Sequence, residues 1–223
     1  MNAIKLPFHF DVEALRKEID TLPDSGYYYL YNPYLEPDSL AGFHFIEPEV
    51  EDGLPVFKPN QHLAQRPALL NVLNTFQCDK ETFRVHNLKA GFSIRRHRDI
   101  ARNFENNIIR VHIPINTHDE VYTYLDDERV KMEEGECWYM DLDLYHEIHN
   151  KGEGDRVNLV MDCLRNEWWE EIFASLGKEH KESTYYHMTV DELKQMKEMM
   201  AGIDGAAGGT IIKEIEEELA SRT

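Results

Sequence analysis

The sequence has few of the residues that mark secreted, nucleic-acid-binding or membrane proteins. Its 223 residues include three cysteines, Cys78, Cys137 and Cys163, an odd number that predicts neither a disulfide framework nor a cysteine-based zinc site. Lys and Arg number 24 against 42 Asp and Glu, and the net charge of −18 disfavours nucleic acid and anionic membranes as partners. No apolar run approaches the roughly 20 residues that span a bilayer, and residues 1–10 lack the apolar core of a secretory signal. We therefore expect a cytoplasmic protein.

Short strands dominate the middle of the chain. Between residues 82 and 163, apolar and polar residues alternate in short runs that are separated by turn signals. The predicted strands cover residues 83–88, 94–99, 108–116, 121–125, 129–132, 136–142, 146–150 and 156–163. About eight short strands in about eighty residues predict a jelly roll or a related barrel. We expect helices at 12–22 and from Pro67 within an otherwise irregular N-terminal third, and a helical tail after Cys163.

Two of the predicted strands separate apolar from charged side chains. At 109–115 the odd positions are all Ile or Val, whereas the even positions include Arg110 and His112. At 156–163 the odd positions are again apolar, and the even positions include Arg156 and Asp162. Successive side chains of a strand point to opposite faces, so one face is apolar and the other carries charge. The polar face is either a solvent-exposed surface or the interior of a barrel that holds a polar ligand, with helices covering the apolar face from outside.

One histidine-aspartate pair has the context of a metal site. His97 and Asp99 are two residues apart on a predicted strand and can therefore share a face, and His146 follows 49 residues after His97. Two histidines and one carboxylate that leave open positions are the ligands of non-haem Fe(II) sites that activate oxygen. A His-x-Asp tripeptide is weak evidence by itself, because His9 and Asp11 form another one, in which Asp11 is expected to cap a helix.

An arginine on the strand after the second histidine could bind a carboxylate of a cosubstrate. Oxygenases of this type often use 2-oxoglutarate, whose distal carboxylate needs a cation beyond the metal, and a planar guanidinium can bind it through two parallel hydrogen bonds. Arg156 begins the predicted strand after His146, ten residues further along the chain. The alternative is a surface arginine paired with an acidic residue.

The stretch from residue 83 to 163 resembles the aspartyl/asparaginyl β-hydroxylase family of 2-oxoglutarate-dependent dioxygenases. The matching segments follow the order of the family and are Leu88-Lys-Ala-Gly91, His97-Arg-Asp99, Arg110-Val-His112-Ile-Pro114-Ile, Gly135-Glu-Cys-Trp138-Tyr-Met-Asp141, His146 and Asp155-Arg156-Val-Asn-Leu-Val-Met-Asp162. Asp99 makes the chain similar to the bacterial branch that includes free-proline hydroxylases, since animal members that modify protein side chains lack the metal carboxylate.

The resemblance implies a fold and a site. It implies a mainly β fold with flanking helices, whose core is a double-stranded β-helix (a cupin-like jelly roll). We expect a dioxygenase domain at 1–166 and a helical extension at 167–223, and the tail after Cys163 lies outside the resemblance. It implies Fe(II) as the cofactor and 2-oxoglutarate as the cosubstrate. The implied metal ligands are His97, Asp99 and His146, and the implied cosubstrate contacts are Arg156, Arg110, His112 and His86.

The interpretation is therefore a dioxygenase that uses O₂ to hydroxylate an unactivated carbon of a small amino-acid-like acid. Strand alternation places Arg95 on the same face as His97 and Asp99, which makes it the candidate contact for a substrate carboxylate. Alternatively, Arg95 and its neighbouring arginines pair with the acidic surface. The alternative functions are hydroxylation of Asp or Asn side chains in a peptide or protein, a cupin-like protein that binds metal and carboxylate without turnover, and a zinc hydrolase or isomerase, which would not need Arg156.

Overall fold

The protein is described by a computed structural model. It describes residues 2–51, 54–178, 185, 188–201 and 206–221. The chain divides into two compact units, Met1–Glu179 and His180–Thr223. The predicted division between residues 166 and 167 into a dioxygenase domain and an extension stays a prediction.

The first unit contains the strands of the described chain. They are β1 (Ala3–His9), β2 (Tyr28–Tyr29), β3 (Leu40–His44), β4 (Ile46–Glu51), β5 (Leu54–Pro59), β6 (Lys80–Leu88), β7 (Ser93–His97), β8 (Ile108–Asn116), β9 (Val121–Leu125), β10 (Glu128–Val130), β11 (Glu136–Met140), β12 (His146–Asn150) and β13 (Arg156–Leu164). The helices of the described chain are α1 (Val12–Ile19), α2 (Gln61–Ala64), α3 (Pro67–Thr75), α4 (Glu167–Ser175), α5 (Val190–Met200) and α6 (Ala206–Ser221).

Two antiparallel sheets form the double-stranded β-helix that the resemblance implies. The larger sheet has the order β1-β11-β8-β13-β6-β3-β2, and the smaller has the order β10-β9-β12-β7. Small apolar clusters join the sheets, one around Leu88 and Ile148 and another around Leu125 and Met140. The remaining strands, β4 and β5, pair only with each other within the described residues.

Helices cover the outer face of the larger sheet, which agrees with the barrel alternative of the sequence analysis. Leu15 of α1, Leu69 of α3 and Phe173 of α4 belong to one core cluster with the odd positions of β8 and β13, such as Val111 and Leu159. Burying each such large apolar side chain stabilises the fold by about 1.5–3 kcal/mol. Because the apolar odd positions of β8 and β13 pack on this outer face, the even positions of the same strands face the smaller sheet.

The N-terminal third contains more strand than the sequence predicted. The expectation of helix and irregular loop was wrong for the strands β1 to β5. Of these, β1 pairs with β11 at the edge of the larger sheet. Ile4 and Leu6 alternate with exposed residues along β1, so the strand signal was present. Pro7 interrupts the pattern, but an edge strand tolerates a proline because one of its sides needs no hydrogen-bond donor.

The second unit is a helical hairpin with its own small core. Leu193 of α5 and Ile215 of α6 are fully buried, and Tyr185 packs with them. Ile211 and Leu219 pack at the edge of this cluster, as expected for the apolar side of an amphipathic helix. Thr189 and Glu192 form a capping box at the start of α5.

Cys78, Cys137 and Cys163 are all free thiols. Within the described residues, none of the helices combines the length and the apolar character that crossing a membrane requires.

Candidate metal and cosubstrate site

His97 and His146 lie opposite each other on neighbouring strands. His97 ends β7, His146 begins β12, the two are cross-strand partners, and their ring centroids are 4.2 Å apart. The Nδ1 atom of His97 lies 2.8 Å from the carbonyl oxygen of Arg95, and that of His146 lies 3.1 Å from the carbonyl oxygen of Leu144. In each ring, Nδ1–H donates to the carbonyl, so the lone pair is on Nε2, the tautomer that a metal requires. Burial lowers the pKa of His146, which further favours the neutral ring.

Asp99 completes a group of three possible metal ligands. β7 ends at His97, so the prediction that Asp99 lies within the strand was wrong by two residues. The carboxylate still reaches the histidines, because the Asp99 amide donates to the carbonyl oxygen of Leu142 (2.8 Å) and fixes the chain there. One ligand atom from each of His97, Asp99 and His146 lies within 4.8 Å of the others. The side chain of Asp99 is 30% exposed, so solvent and small molecules reach the group from this side.

Arg110 holds the Asp99 carboxylate from the opposite sheet. Its Nη1 donates to Oδ2 of Asp99, while its Nε and Nη2 donate to the two oxygens of Asp162, with 3.0 Å from Nη2 to Oδ2. Burial by itself lowers the pKa of Arg110, but these hydrogen bonds and the two carboxylate charges outweigh burial and raise it. Burial likewise acts to raise the pKa of Asp162, whereas Arg110 holds it at about 2. Arg110 therefore orients Asp99, and two of its five N–H groups remain for a further contact.

Arg156 faces the same interior without an anion. It begins β13, its side chain is 3% exposed, and it forms no ion pair within the described residues. Three side chains carry buried polar atoms that have no hydrogen-bond partner among those residues. They are Arg156 with its Nη2, Asn158 with both of its side-chain polar atoms, and His112 with both ring nitrogens. Burial lowers the pKa of Arg156 to about 10. Burial, followed by the charges of Arg110 and Arg156, lowers the pKa of His112 well below its usual value, so the ring is neutral.

Buried polar atoms without partners on one face are suited to bind a polar ligand, because such atoms are otherwise hydrogen-bonded in native proteins. Arg156 and Asn158 also line a cavity of about 530 Å³ together with Thr123 and Met132. His97, Asp99 and His146 are not among the residues that line this cavity. The cavity provides space for a ligand at the Arg156 end of the interior.

His86 lies on the inner face beside a residue that the sequence analysis missed. His86 is the cross-strand neighbour of Asn158, and its Nε2 accepts a hydrogen bond of 2.8 Å from Nε of Arg84. Burial and the neighbouring arginines lower the pKa of His86 well below its usual value. Arg84 itself alternates with apolar residues on β6, as Arg110 does on β8, and that alternation was the signal available in the sequence.

Arg95 does not share the inward face that the sequence predicted. Between Ile94 and His97, β7 contains one residue more than the paired stretch of β12, where Ile148 faces Ile94 and His146 faces His97. Such a bulge reverses the alternation beyond it, so parity counted back from His97 fails. The Arg95 side chain is exposed. Its role as a substrate contact stays a prediction, now without the argument from parity.

The fold and the site together define a class of protein. Two histidines and one carboxylate inside a double-stranded β-helix, with a buried arginine without an anion on the same inner face, are the arrangement of an Fe(II)-dependent oxygenase with an acidic cosubstrate. The sequence model of the family Aspartyl/Asparaginyl beta-hydroxylase matches residues 51–166, just over half of the chain. The chain therefore belongs to this family, which confirms a hydroxylase that uses Fe(II) and 2-oxoglutarate.

Solved structures with a similar fold include several oxygenases. A 2OG-Fe(II) oxygenase family oxidoreductase from Burkholderia pseudomallei is 15% identical, with a TM-score of 0.47 over 74% of this chain and 85% of that one. HygX from Streptomyces hygroscopicus, solved with nickel and 2-oxoglutarate, is 11% identical, with a TM-score of 0.46 over 74% and 84%. A Pseudomonas putida prolyl-4-hydroxylase is 15% identical, with a TM-score of 0.44 over 74% and 93%. A comparison with curated protein sequences finds no match.

Proposed function

We propose that the protein hydroxylates a small amino-acid-like acid, with Fe(II) at His97, Asp99 and His146 and with 2-oxoglutarate on Arg156. The observation that carries this proposal is the buried Arg156 guanidinium, which lacks an anion and lies on the same inner face as two other groups without partners. A buried cation requires a counter-charge, and the distal carboxylate of 2-oxoglutarate supplies one.

The donor groups suit both the metal and the cosubstrate. Neutral imidazole nitrogens and a carboxylate oxygen are the ligands of oxygen-activating Fe(II). When bound, Fe(II) and 2-oxoglutarate supply the oxidising chemistry, in which O₂, 2-oxoglutarate and a C–H bond yield succinate, CO₂ and a hydroxylated carbon. His112 and Asn158 offer neutral hydrogen-bonding groups on the face between Arg156 and Arg110. The predicted contacts of His86 and Arg110 with the cosubstrate stay part of the proposal.

The protein's own residues orient the reacting groups and exclude water. The backbone carbonyls of Arg95 and Leu144 fix the two histidine rings, and Arg110 fixes the Asp99 carboxylate. Tyr34 stacks on the His97 ring at 4.6 Å between centroids and covers it from the solvent side. The apolar clusters around Leu88 and Leu125 close the interior between the sheets, where ionic contacts are stronger than in water.

The test measures binding and turnover in the same samples. We expect Arg156→Met to lower the affinity for 2-oxoglutarate by on the order of a hundredfold or more, because a charged partner of the carboxylate is lost. Calorimetry with the Mn(II)-loaded protein measures this affinity without turnover. Arg129→Met, which removes an exposed arginine of β10, is the matched control and should bind like wild type.

Turnover separates the proposed enzyme from a binding protein. The Fe(II)-loaded wild type should release succinate from 2-oxoglutarate in the presence of O₂, and chelation of the metal should stop it. Metal and 2-oxoglutarate binding without any succinate release would favour the cupin-like binding protein instead. An unchanged 2-oxoglutarate affinity in Arg156→Met would rule out the role of Arg156.

A further inference from the structure

A third arginine, Arg84, occupies the interior of the barrel. It lies on β6 opposite Val160 of β13 and opposite His44 of β3, and its side chain is 12% exposed. Thr82 and His86, two residues away on either side, share its face of the strand. Arg84 therefore faces the same space as the groups that the proposed function assigns to the metal and the cosubstrate.

Arg84 has only a partial counter-charge. Its Nη1 lies 3.7 Å from Oδ2 of Asp162, which is beyond hydrogen-bonding distance, and its Nε donates to the neutral ring of His86. Arg84 forms no other ion pair within the described residues. Asp162 is already engaged, because Arg110 donates to both of its oxygens and the Thr82 hydroxyl donates to Oδ2 at 3.0 Å. Burial and the nearby charge of Arg110 lower the pKa of Arg84, as expected for a cation that lacks an anion of its own.

The buried charges of the interior indicate which charge a further ligand should carry. The described interior carries three guanidiniums, of Arg84, Arg110 and Arg156, against two carboxylates, of Asp99 and Asp162. A divalent metal and the dianion of 2-oxoglutarate cancel each other, so one positive charge remains when both are bound. At the rim, Arg102 is balanced by Glu81 at 2.9 Å. An excess cation in a buried site favours an anionic ligand.

The position of Arg84 separates it from the cosubstrate arginine. Arg156 pairs with Leu88 on β6, four residues from Arg84, which corresponds to roughly 13 Å along the strand. Arg84 lies instead near the Asp99 end, because Asp162, its ionic neighbour, is joined to Asp99 by Arg110. A carboxylate at Arg84 would therefore belong to a molecule other than the 2-oxoglutarate on Arg156.

Neutral polar side chains form the wall beside Arg84. The Tyr28 ring stacks on His44 with 4.9 Å between centroids, and its hydroxyl lies 2.6 Å from Nε2 of His44. Gly42 makes this possible, because a Cβ at that position would lie 2.7 Å from the Tyr28 ring. Burial and the charge of Arg84 lower the pKa of His44, so this wall contributes hydrogen-bonding groups and no further cation.

We propose that Arg84 binds the carboxylate of the substrate, which makes the substrate a free acid of the amino-acid type. This inference rests on the proposed function and names the anchor of its substrate. It moves the role of carboxylate contact from the exposed Arg95 to a buried residue of the opposite sheet. A molecule held there by its carboxylate would present its neighbouring carbons towards Asp99 and the two histidines.

The experiment uses the full chain loaded with Mn(II) and saturated with 2-oxoglutarate. Calorimetry measures the binding of free L-amino acids and of their primary amides to wild type, Arg84→Gln, Arg84→Lys and Arg95→Gln. We expect at least one free acid to bind wild type on the order of tenfold to a hundredfold more tightly than its amide, as for hydrogen bonds to a charged group. Arg84→Gln should remove this preference, whereas Arg84→Lys should retain part of it.

The outcomes separate this inference from the proposed function. Arg84→Gln should still bind 2-oxoglutarate, because Arg156 remains to hold its distal carboxylate, and this binding also reports that the variant is folded. The inference is overturned if Arg84→Gln keeps the preference for the acid, if only Arg95→Gln loses it, or if no free amino acid binds wild type. Failure of the proposed function looks different, because wild type itself would then bind no 2-oxoglutarate or release no succinate.

Discussion

Arg110 and Arg156 lie on neighbouring strands of one sheet, face the same interior and are both buried, yet the structure surrounds them differently. Arg110 is enclosed by Asp99 and Asp162, and these carboxylates raise its pKa. Arg156 has no carboxylate within ion-pair distance among the described residues, and burial lowers its pKa to about 10. The Arg110 guanidinium thus has its counter-charges within the protein, whereas the Arg156 guanidinium has none among the described residues.

Because of this difference, we expect Arg110 to contribute mainly to the stability of the fold and Arg156 mainly to ligand binding. A buried ion pair with both partners present is strongly destabilised when one partner is removed, because the other charge stays buried alone. A buried cation without a partner destabilises the ligand-free fold and is compensated only when its ligand binds. Substitutions at the two arginines should therefore differ in their effect on the stability of the metal-free protein.

The largest expected effect is a loss of stability in Arg110→Met. The substitution leaves the buried carboxylate of Asp162 without its two hydrogen bonds from Arg110, and Arg84 at 3.7 Å replaces them only in part. We expect the free energy of unfolding of the metal-free protein to fall by about 3 kcal/mol. Urea unfolding measures it, with the exposed Arg129→Met as a control that should stay within about 0.5 kcal/mol of wild type. A loss no larger than that of the control would contradict the structural role of Arg110.

The second expected effect concerns Arg156→Met and ligand-linked stability. In the metal-free protein we expect an unchanged or higher free energy of unfolding, because an uncompensated buried charge is removed. With Mn(II) present and 2-oxoglutarate at a hundred times its dissociation constant, wild type should gain about 2.7 kcal/mol, and Arg156→Met should gain almost none. The same urea unfolding with and without 2-oxoglutarate measures both. Destabilisation of the metal-free variant as large as in Arg110→Met would show that Arg156 is a structural residue.

The smallest expected effect is a pH dependence that originates at Asp162. The folded state holds the pKa of Asp162 at about 2, against about 4 in an unfolded chain. A lowered pKa contributes stability that is fully present above pH 4 and is lost as the pH falls towards 2, by about 2 kcal/mol in total. The stability difference between wild type and Arg110→Met should therefore shrink across this range. A difference that stays constant from pH 5 to pH 2 would assign the coupling to another group.

The sequence was sufficient to predict which face a side chain lies on where the pattern depends on one strand alone. The alternation in β8 and β13 predicted that Arg110, His112 and Arg156 share one face, and the structure places them on the inner face of the larger sheet. Helices on the opposite face were predicted for the same reason, because the apolar positions needed a cover. The resemblance, rather than the spacing, implied that His97 and His146 lie together, and the two residues are cross-strand partners.

The sequence was insufficient where pairing between strands decides the outcome. The alternation that identified the inward arginines of β8 and β13 failed for Arg95, because the bulge in β7 becomes visible only when β7 is aligned with β12. β1 was missed because the edge position that tolerates its proline is a property of the assembled sheet.

What the sequence determined by itself is which side chains of β8 and β13 face inward, since the two-residue period of a regular strand follows from local backbone geometry. What only the tertiary structure decided is which of those charges are neutralised. Arg84, Arg110 and Arg156 look alike in the sequence, and each alternates with apolar residues. Asp162 pairs with Arg110 and leaves Arg84 and Arg156 without a full partner, because the register of β13 against β8 and β6 sets those distances. Charge interaction depends on distance and burial, and these exist only once the strands are assembled.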